Sequence, residues 1–169
     1  MKNLIVYFSH NKENYVSGNI VDLKEGNMKV IMTKLSGMID ADVFEIIPVN
    51  DYPRVYRECT DAAKREKNAG ARPEIKNTVE HMEQYDCIYL GYPNWWGTMP
   101  MIVMTFLESY DFTGKHIYPV CTHEGSGMGS SERDLKKLCP SAVLHKGLAV
   151  YGSEAADCDQ ALRNWIKKG

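Results

Sequence analysis

Apolar and polar residues change their spacing along this chain in short blocks, and each block predicts an element. Asn3–Phe8, NLIVYF, is rich in β-branched and aromatic residues and stops abruptly at Ser9-His10-Asn11, which predicts a strand. Tyr15–Leu23, YVSGNIVDL, sets Ser17-Gly18-Asn19 between two short apolar runs and predicts a small hairpin. After Gly26-Asn27, the residues Val30, Ile31, Leu35, Met38 and Ile39 recur at helical spacing and predict a helix packed on a sheet. Ala41–Ile47 reads as a second strand closed by Pro48, and Arg54–Lys67 as a charged helix with Val55, Tyr56, Cys59, Ala62 and Ala63 inward.

The run Asp86–Leu90 is almost continuously apolar, as suits a strand buried on both faces. Pro100 then opens Met101–Leu107 as a helix with proline in its first turn. His116–Cys121 predicts a fourth strand, and Glu132–Cys139 completes a short helix begun near Gly129. Ala142–Gly152 predicts a fifth strand. The last helix runs about Asp157–Lys168, with Ala161, Leu162, Trp165 and Ile166 inward and Lys167-Lys168 at the end where the helix dipole favours cations.

Five strands alternating with helices, without internal repeat or long linker, predict one α/β domain over residues 1–169. Its architecture is a three-layer, doubly wound parallel sheet with helices on both faces. Such sheets bind ligands beyond the carboxyl ends of their strands, at a topological switch point. That singles out the loops Ser9–Met28, Tyr92–Met99 and Thr122–Ser131, which are also the stretches richest in Gly, Ser, Asn and aromatic residues.

Composition narrows the classes. At 169 residues and 44% hydrophobic, the chain has enough for one sizeable core. A net charge of −2 offers no counter-charge to nucleic acid or to an anionic membrane. No apolar run approaches the roughly 18 residues of a membrane span, and MKNLIVYF is too short for a signal peptide. The five cysteines form no CxxC pair, so the expectation is reduced thiols in a cytoplasm rather than zinc or a disulfide framework.

The three loops carry the chemistry. Gly91, Pro93, Asn94 and Gly97 surround Trp95-Trp96, a pair placed to flank a flat aromatic ligand, unless one indole folds back onto the sheet. Ser9-His10-Asn11 and Gly26-Asn27-Met28 bracket a helix start, whose free N–H groups suit a phosphate. The alternative there is that Asn27 merely caps the helix. Neither GxxxxGK[ST] nor GxGxxG is present, which argues against a nucleoside triphosphate or a conventionally held dinucleotide. In Cys121–Gly129, three glycines allow close backbone approach. His123 and Glu124 are the ionisable groups of that loop, with plain solvated loop residues as the alternative.

Gly91-Tyr92-Pro93-Asn94-Trp95-Trp96-Gly97-Thr98-Met99-Pro100 and Cys121-Thr122-His123-Glu124-Gly125-Ser126-Gly127 carry a resemblance. The chain resembles the flavodoxin superfamily, and most closely a small bacterial flavodoxin-like family with GYPxWWGTMP and CTHEGSG loops. The resemblance implies strand order 2-1-3-4-5 and non-covalent FMN. It implies cofactor contacts from Ser9, His10, Asn11, Asn14, Asn27 and Met28, and from Tyr92, Pro93, Asn94, Trp95, Trp96, Gly97, Thr98 and Met99. It adds Thr122, His123, Glu124, Gly125, Ser126 and Gly127, with Trp95 or Trp96 against the ring and a Gly97-Thr98 carbonyl beside the flavin N5. His123, if protonated, would stabilise the reduced ring, and Glu124 would oppose it.

The family's phosphate loop, roughly S-x-T-G-N-T, is split here by Lys12–Glu25, and Met28 replaces its last threonine. That leaves Asn14 or an amide of the insert to supply the lost bond. The implied activity is electron transfer or flavin-dependent reduction, with a redox partner protein or a small-molecule acceptor. The alternatives are an NAD(P)H-dependent quinone-type reductase and a non-catalytic module with weak FMN binding. A charge of −2 is only slight support for a carrier steered by acidic patches. A phosphorylated receiver domain would need acidic residues where Ser9-His10 stand.

Overall fold

The structure is a computed structural model and describes residues 1–168. The first strand, β1 (Asn3–Tyr7), alternates its side chains between two cores: Leu4 and Val6 face one, Ile5 and Tyr7 the other, all buried. Next, β2 (Lys12–Val16) and β3 (Asn19–Leu23) form an antiparallel hairpin apart from the main sheet. Ser17 and Gly18 at its tip both have positive φ, the mirror-image turn whose twist matches paired strands.

Then follow α1 (Asn27–Ser36), β4 (Asp42–Glu45), α2 (Tyr56–Ala69), β5 (Cys87–Pro93), α3 (Met101–Glu108) and β6 (His116–His123). The chain closes with α4 (Ser131–Leu138), β7 (Val143–Leu144), β8 (Leu148–Tyr151) and α5 (Asp159–Lys168). The main sheet has the order β4-β1-β5-β6-β7, with β8 also on β6, and every pairing in it is parallel. With β7 and β8 taken as one interrupted position and the hairpin set aside, this is the expected 2-1-3-4-5 order.

Helices α1 and α5 cover one face, where Ile31, Met32, Leu35 and Leu162 pack on Ile5, Val120 and Val150. Helices α3 and α4 cover the other, where Ile102, Phe106 and Leu135 pack on Leu4, Val6, Ile88 and Leu90. Each fully buried aliphatic or Phe side chain contributes about 1.5–3 kcal/mol. Gly91 lets α1 lie close to β5: a Cβ there would stand 2.4 Å from Met32 Cε and 2.5 Å from Met28 Sδ.

Several boundaries differ from expectation. Gly91 and Pro93 are extended in β5 rather than turning, and Thr122 and His123 belong to β6, because β5–β6 pairing continues through Tyr92–Cys121 and Pro93–Thr122. Pairing of this kind lies outside local composition. The fifth strand breaks at His145-Lys146-Gly147, where the Trp165 indole donates to the Lys146 carbonyl and the Gly147 amide donates to Glu132. Pro100 stands just ahead of α3, and Ala161 of α5 is exposed.

Candidate functional site

The carboxyl ends of β1, β5 and β6 open into a cleft of about 700 Å³. Its first wall is the junction of β1 with α1. Gly26 is the N-cap of α1 and contributes no side-chain bond; instead Ser9 Oγ, from the far side of the hairpin, accepts the Lys29 N–H at 3.0 Å. Asn27 is therefore not the cap. It stands at the first helical position and lines the cleft. His10 also lines it, with only 8% of its surface exposed, and its ring meets Trp95 and Tyr52 edge-on at 5.8 and 6.5 Å.

The His10 Nε2 is enclosed and has no hydrogen-bond partner among the described residues. Burial, and then the Lys12 ammonium, lower its pKa against the smaller opposing pull of Asp51, which favours the neutral imidazole. Asn14 lines the cleft, but its amide group donates to the His10 and Lys12 carbonyls and so is committed to the corner of the chain rather than free for a phosphate. Asn11 is exposed at the base of the hairpin, away from the cleft lining. Contrary to expectation, the Met28 side chain does not reach the cleft: it is buried in the α1–sheet core, because that helical position faces Gly91.

The second wall is the turn after β5. Trp95 packs inward, edge-on to Phe8 at 5.4 Å and to Tyr52 at 4.9 Å. Trp96 leans the other way onto α2: its Nε1 donates to the Thr60 carbonyl at 2.9 Å, and Lys64 Nζ stands 5.1 Å from its ring centroid. Both indoles line the cleft, with Trp95 packed toward the Phe8–Tyr52 side of the core and Trp96 held against α2. Trp96 has φ +56°, an outlier for a bulky residue, and its carbonyl accepts from Lys67.

Tyr92, Thr98 and Met99 lie behind this turn, not in the cleft lining. Met99 is core, the Tyr92 hydroxyl donates to Ser131 Oγ at 2.9 Å, and the Thr98 hydroxyl donates to Asp134 at 2.6 Å. The Gly97 carbonyl, expected to face a ligand, instead accepts from the Ser130 N–H at 2.7 Å. Pro93, Asn94 and Gly97 do line the cleft.

The third wall is the end of β6 and its loop, where Thr122, His123, Glu124 and Ser126 face the cleft while Gly125 and Gly127 lie outside the lining. His123 Nδ1 accepts the Gly125 N–H at 2.9 Å, which leaves the ring proton on Nε2 and fixes the tautomer. Glu124 is tied to the hairpin tip, accepting the Ser17 N–H at 3.1 Å.

The sequence reading missed the remaining walls. Glu13, Tyr15 and Ile20 of the hairpin, Tyr56, Arg57, Cys59, Thr60, Asp61 and Ala63 of α2, and Gly152 all line the cleft. Nothing local marks α2 as a wall; only the stretch Glu13-Asn14-Tyr15 beside the split loop offered a signal. Burial raises the Cys59 thiol to about 12, so it forms part of the floor as a neutral group and not as a nucleophile. No group of three or more His, Cys, Asp or Glu among the described residues is placed to hold a metal.

Comparison with known proteins agrees with this arrangement. A family model described as flavodoxin matches residues 21–169. A proposed flavoprotein of Bacteroides eggerthii DSM 20697 superposes with a TM-score of 0.78 at 27% identity, covering 99% of this chain and 96% of its own. A second, from Bacteroides uniformis ATCC 8492, gives 0.77 at 26%, covering 98% and 97%. A flavoprotein of Lactobacillus acidophilus NCFM, solved in complex with FMN, shares the fold with a TM-score of 0.68 at 18% identity over 98% of both chains. No curated protein sequence matches. By the family match across most of its length, and by a sheet order and cleft position that agree with it, the chain belongs to the flavodoxin family.

Proposed function

We propose that the cleft binds FMN and that the protein acts in electron transfer or flavin-dependent reduction. The observation that carries this reading is one cleft joining a helix start, an unpartnered buried imidazole nitrogen and two indoles. The α1 start suits a phosphate: its N–H groups and positive dipole end face an anion, and Asn27 stands beside them. Ser9 Oγ accepts from Lys29 and so keeps its own proton to donate. His10 lines the cleft, and its buried Nε2 is a polar atom left without a protein partner beside the site. The burial of Met28 means that backbone N–H groups, not that side chain, would meet the phosphate.

The FMN complex of the Lactobacillus relative supports the same assignment. Bound FMN would supply the electron chemistry. Trp95 and Trp96 would exclude water from a flat ring, and Asn94, Thr122 and His123 would offer polar contacts around it. The exchange partner is a redox protein or a small-molecule acceptor reaching the rim, where Tyr15, Trp96 and Tyr151 are exposed.

Titration of the protein with FMN, followed by quenching of flavin fluorescence, tests the reading. One equivalent should bind, and Asn27→Ala should weaken FMN by about tenfold while changing riboflavin little, the loss of one charge-assisted bond. Equal losses for both ligands would place the phosphate elsewhere, and an unquenched wild type would overturn the assignment.

A further inference from the structure

At its hairpin end the cleft combines aromatic faces with carboxylates. Tyr15 stacks on Tyr56 with ring centroids 6.0 Å apart and an interplanar angle of 29°, and both residues line the cleft. Tyr15 keeps 42% of its surface exposed, so its ring is open to a further partner. Two carboxylates flank the pair. Glu13 Oε1 accepts the Tyr56 N–H at 3.1 Å, and Glu124 Oε2 accepts the N–H of Ser17, two residues beyond Tyr15, at 3.1 Å. Burial, then Tyr15, Cys59 and the Glu124 charge, raise the Tyr56 phenol, which sets Glu124 within Coulomb reach of the rings.

The charge balance of the lining favours one sign. Its Asp, Glu, Lys and Arg side chains are three carboxylates, Glu13, Asp61 and Glu124, and one guanidinium, Arg57. Arg57 and Asp61 stand four residues apart on α2, where opposite charges offset each other. Glu13 and Glu124 remain. Each is held by a main-chain N–H, and neither forms an ion pair among the described residues, since nearby Lys12 is paired with Asp51 and Arg54 with Asp22. The dipole at the start of α2 offsets part of the Glu13 charge, whereas Glu124 lies in a loop.

We propose that Glu13, Tyr15, Tyr56 and Glu124 form a second subsite of the cleft, for a flat aromatic ring that carries a positive charge. The ligand class follows from the wall. Phenol rings attract a cation through the negative faces of their π-systems, and a stacked pair suits a planar one. The two carboxylates add Coulomb attraction in a cleft whose walls limit solvent screening. An anionic ring would face the same carboxylates with only Arg57 in its favour, and Asp61 stands one turn away on the same helix. In naming this ligand the exchange partner of a bound cofactor, the proposal rests on FMN occupying the rest of the cleft.

The test is calorimetric titration of the FMN-loaded, oxidised protein with rings of one shape and different charge: N-methylphenazinium, neutral phenazine and phenazine-1-carboxylate. Affinity should fall in that order, with the cation about tenfold tighter than phenazine. The double variant Glu13→Gln, Glu124→Gln keeps both acceptor oxygens and removes both charges. It should lower the cation-to-phenazine ratio about tenfold, the larger share from Glu124. Glu124→Gln alone decides the matter if the double variant does not fold. Arg57→Met should raise the ratio about threefold. Glu74→Gln, Glu80→Gln makes the same change in net charge at exposed positions outside the lining and should leave the ratio unchanged. Equal affinities for the cation and phenazine, a tighter carboxylate, a control that lowers the ratio as much, or displacement of FMN by the cation would overturn the proposal while leaving FMN binding intact. Flavin fluorescence that stays unquenched when FMN is added would instead overturn the FMN assignment, and the exchange-partner role with it.

Discussion

At His10 and His145, burial links the protonation of single residues to folding. Burial holds both imidazoles below the ordinary value of 6.5; Lys12 adds to this at His10 and His116 at His145, while Asp51 opposes it at His10. His145 also shares a 2.8 Å hydrogen bond with His116 and stacks on Tyr118 at 4.1 Å. As pH falls through 6.5 the unfolded chain binds protons before the folded one does. Stability contributed by these groups is therefore fully present above that pH and lost on acidification towards the folded-state pKa. Urea midpoints at about pH 7.5, 6.5 and 5.5 should fall progressively, and a His10→Gln, His145→Gln double variant should flatten the slope. A wild-type midpoint that does not change over that range would contradict the lowered pKa of these rings.

Among the elements, the hairpin β2–β3 has the clearest role, because it straps two otherwise separate walls together. At one end Glu13 accepts the Tyr56 N–H at 3.1 Å, capping α2, whose own N-cap Val55 supplies no side-chain bond. Tyr15 stacks on Tyr56 with centroids 6.0 Å apart, and Lys12 pairs with Asp51 at 2.6 Å. At the other end the Ser17 N–H reaches Glu124. The insert Lys12–Glu25 thus closes one side of the cleft. Glu124→Ala should raise the FMN dissociation rate about fivefold, the equivalent of about 1 kcal/mol for one hydrogen bond. Glu124→Gln, which keeps an acceptor oxygen, should stay near wild type. Dissociation followed by fluorescence recovery on dilution measures both, and identical rates for Ala and wild type would mean that the strap does not hold the ligand.

At the scale of the whole molecule, two separate cores fix the sheet, whereas the cleft is lined jointly by the hairpin, α1, α2 and the loops after β5 and β6. A ligand contacting α1, α2, the hairpin and both loops should stabilise the entire fold by linkage. At a hundred times its dissociation constant, FMN adds about 2.7 kcal/mol. For a chain of this size that corresponds to roughly 5–10 °C in Tm. A thermal scan with and without FMN reads this directly, and an unchanged Tm at saturating FMN would show that the ligand does not select the folded state.

What the sequence by itself determined follows from local pattern. The β-branched and aromatic residues of NLIVYF make a strand legible in those six letters, and the structure then shows Leu4 and Val6 in one core and Ile5 and Tyr7 in the other. The Ser17-Gly18 tip and the three loops that reach the cleft are legible for the same reason, since turn residues are encoded within a few positions. The tertiary structure alone decided which indole turns inward, that α2 forms a wall, and that Ser9 caps a helix twenty residues further along. It also decided that Ser130 occupies the Gly97 carbonyl, thirty-three residues away. Periodicity specifies which side of an element is buried. Which donor meets which acceptor depends on elements distant in sequence converging in space, and no window of the chain contains that information.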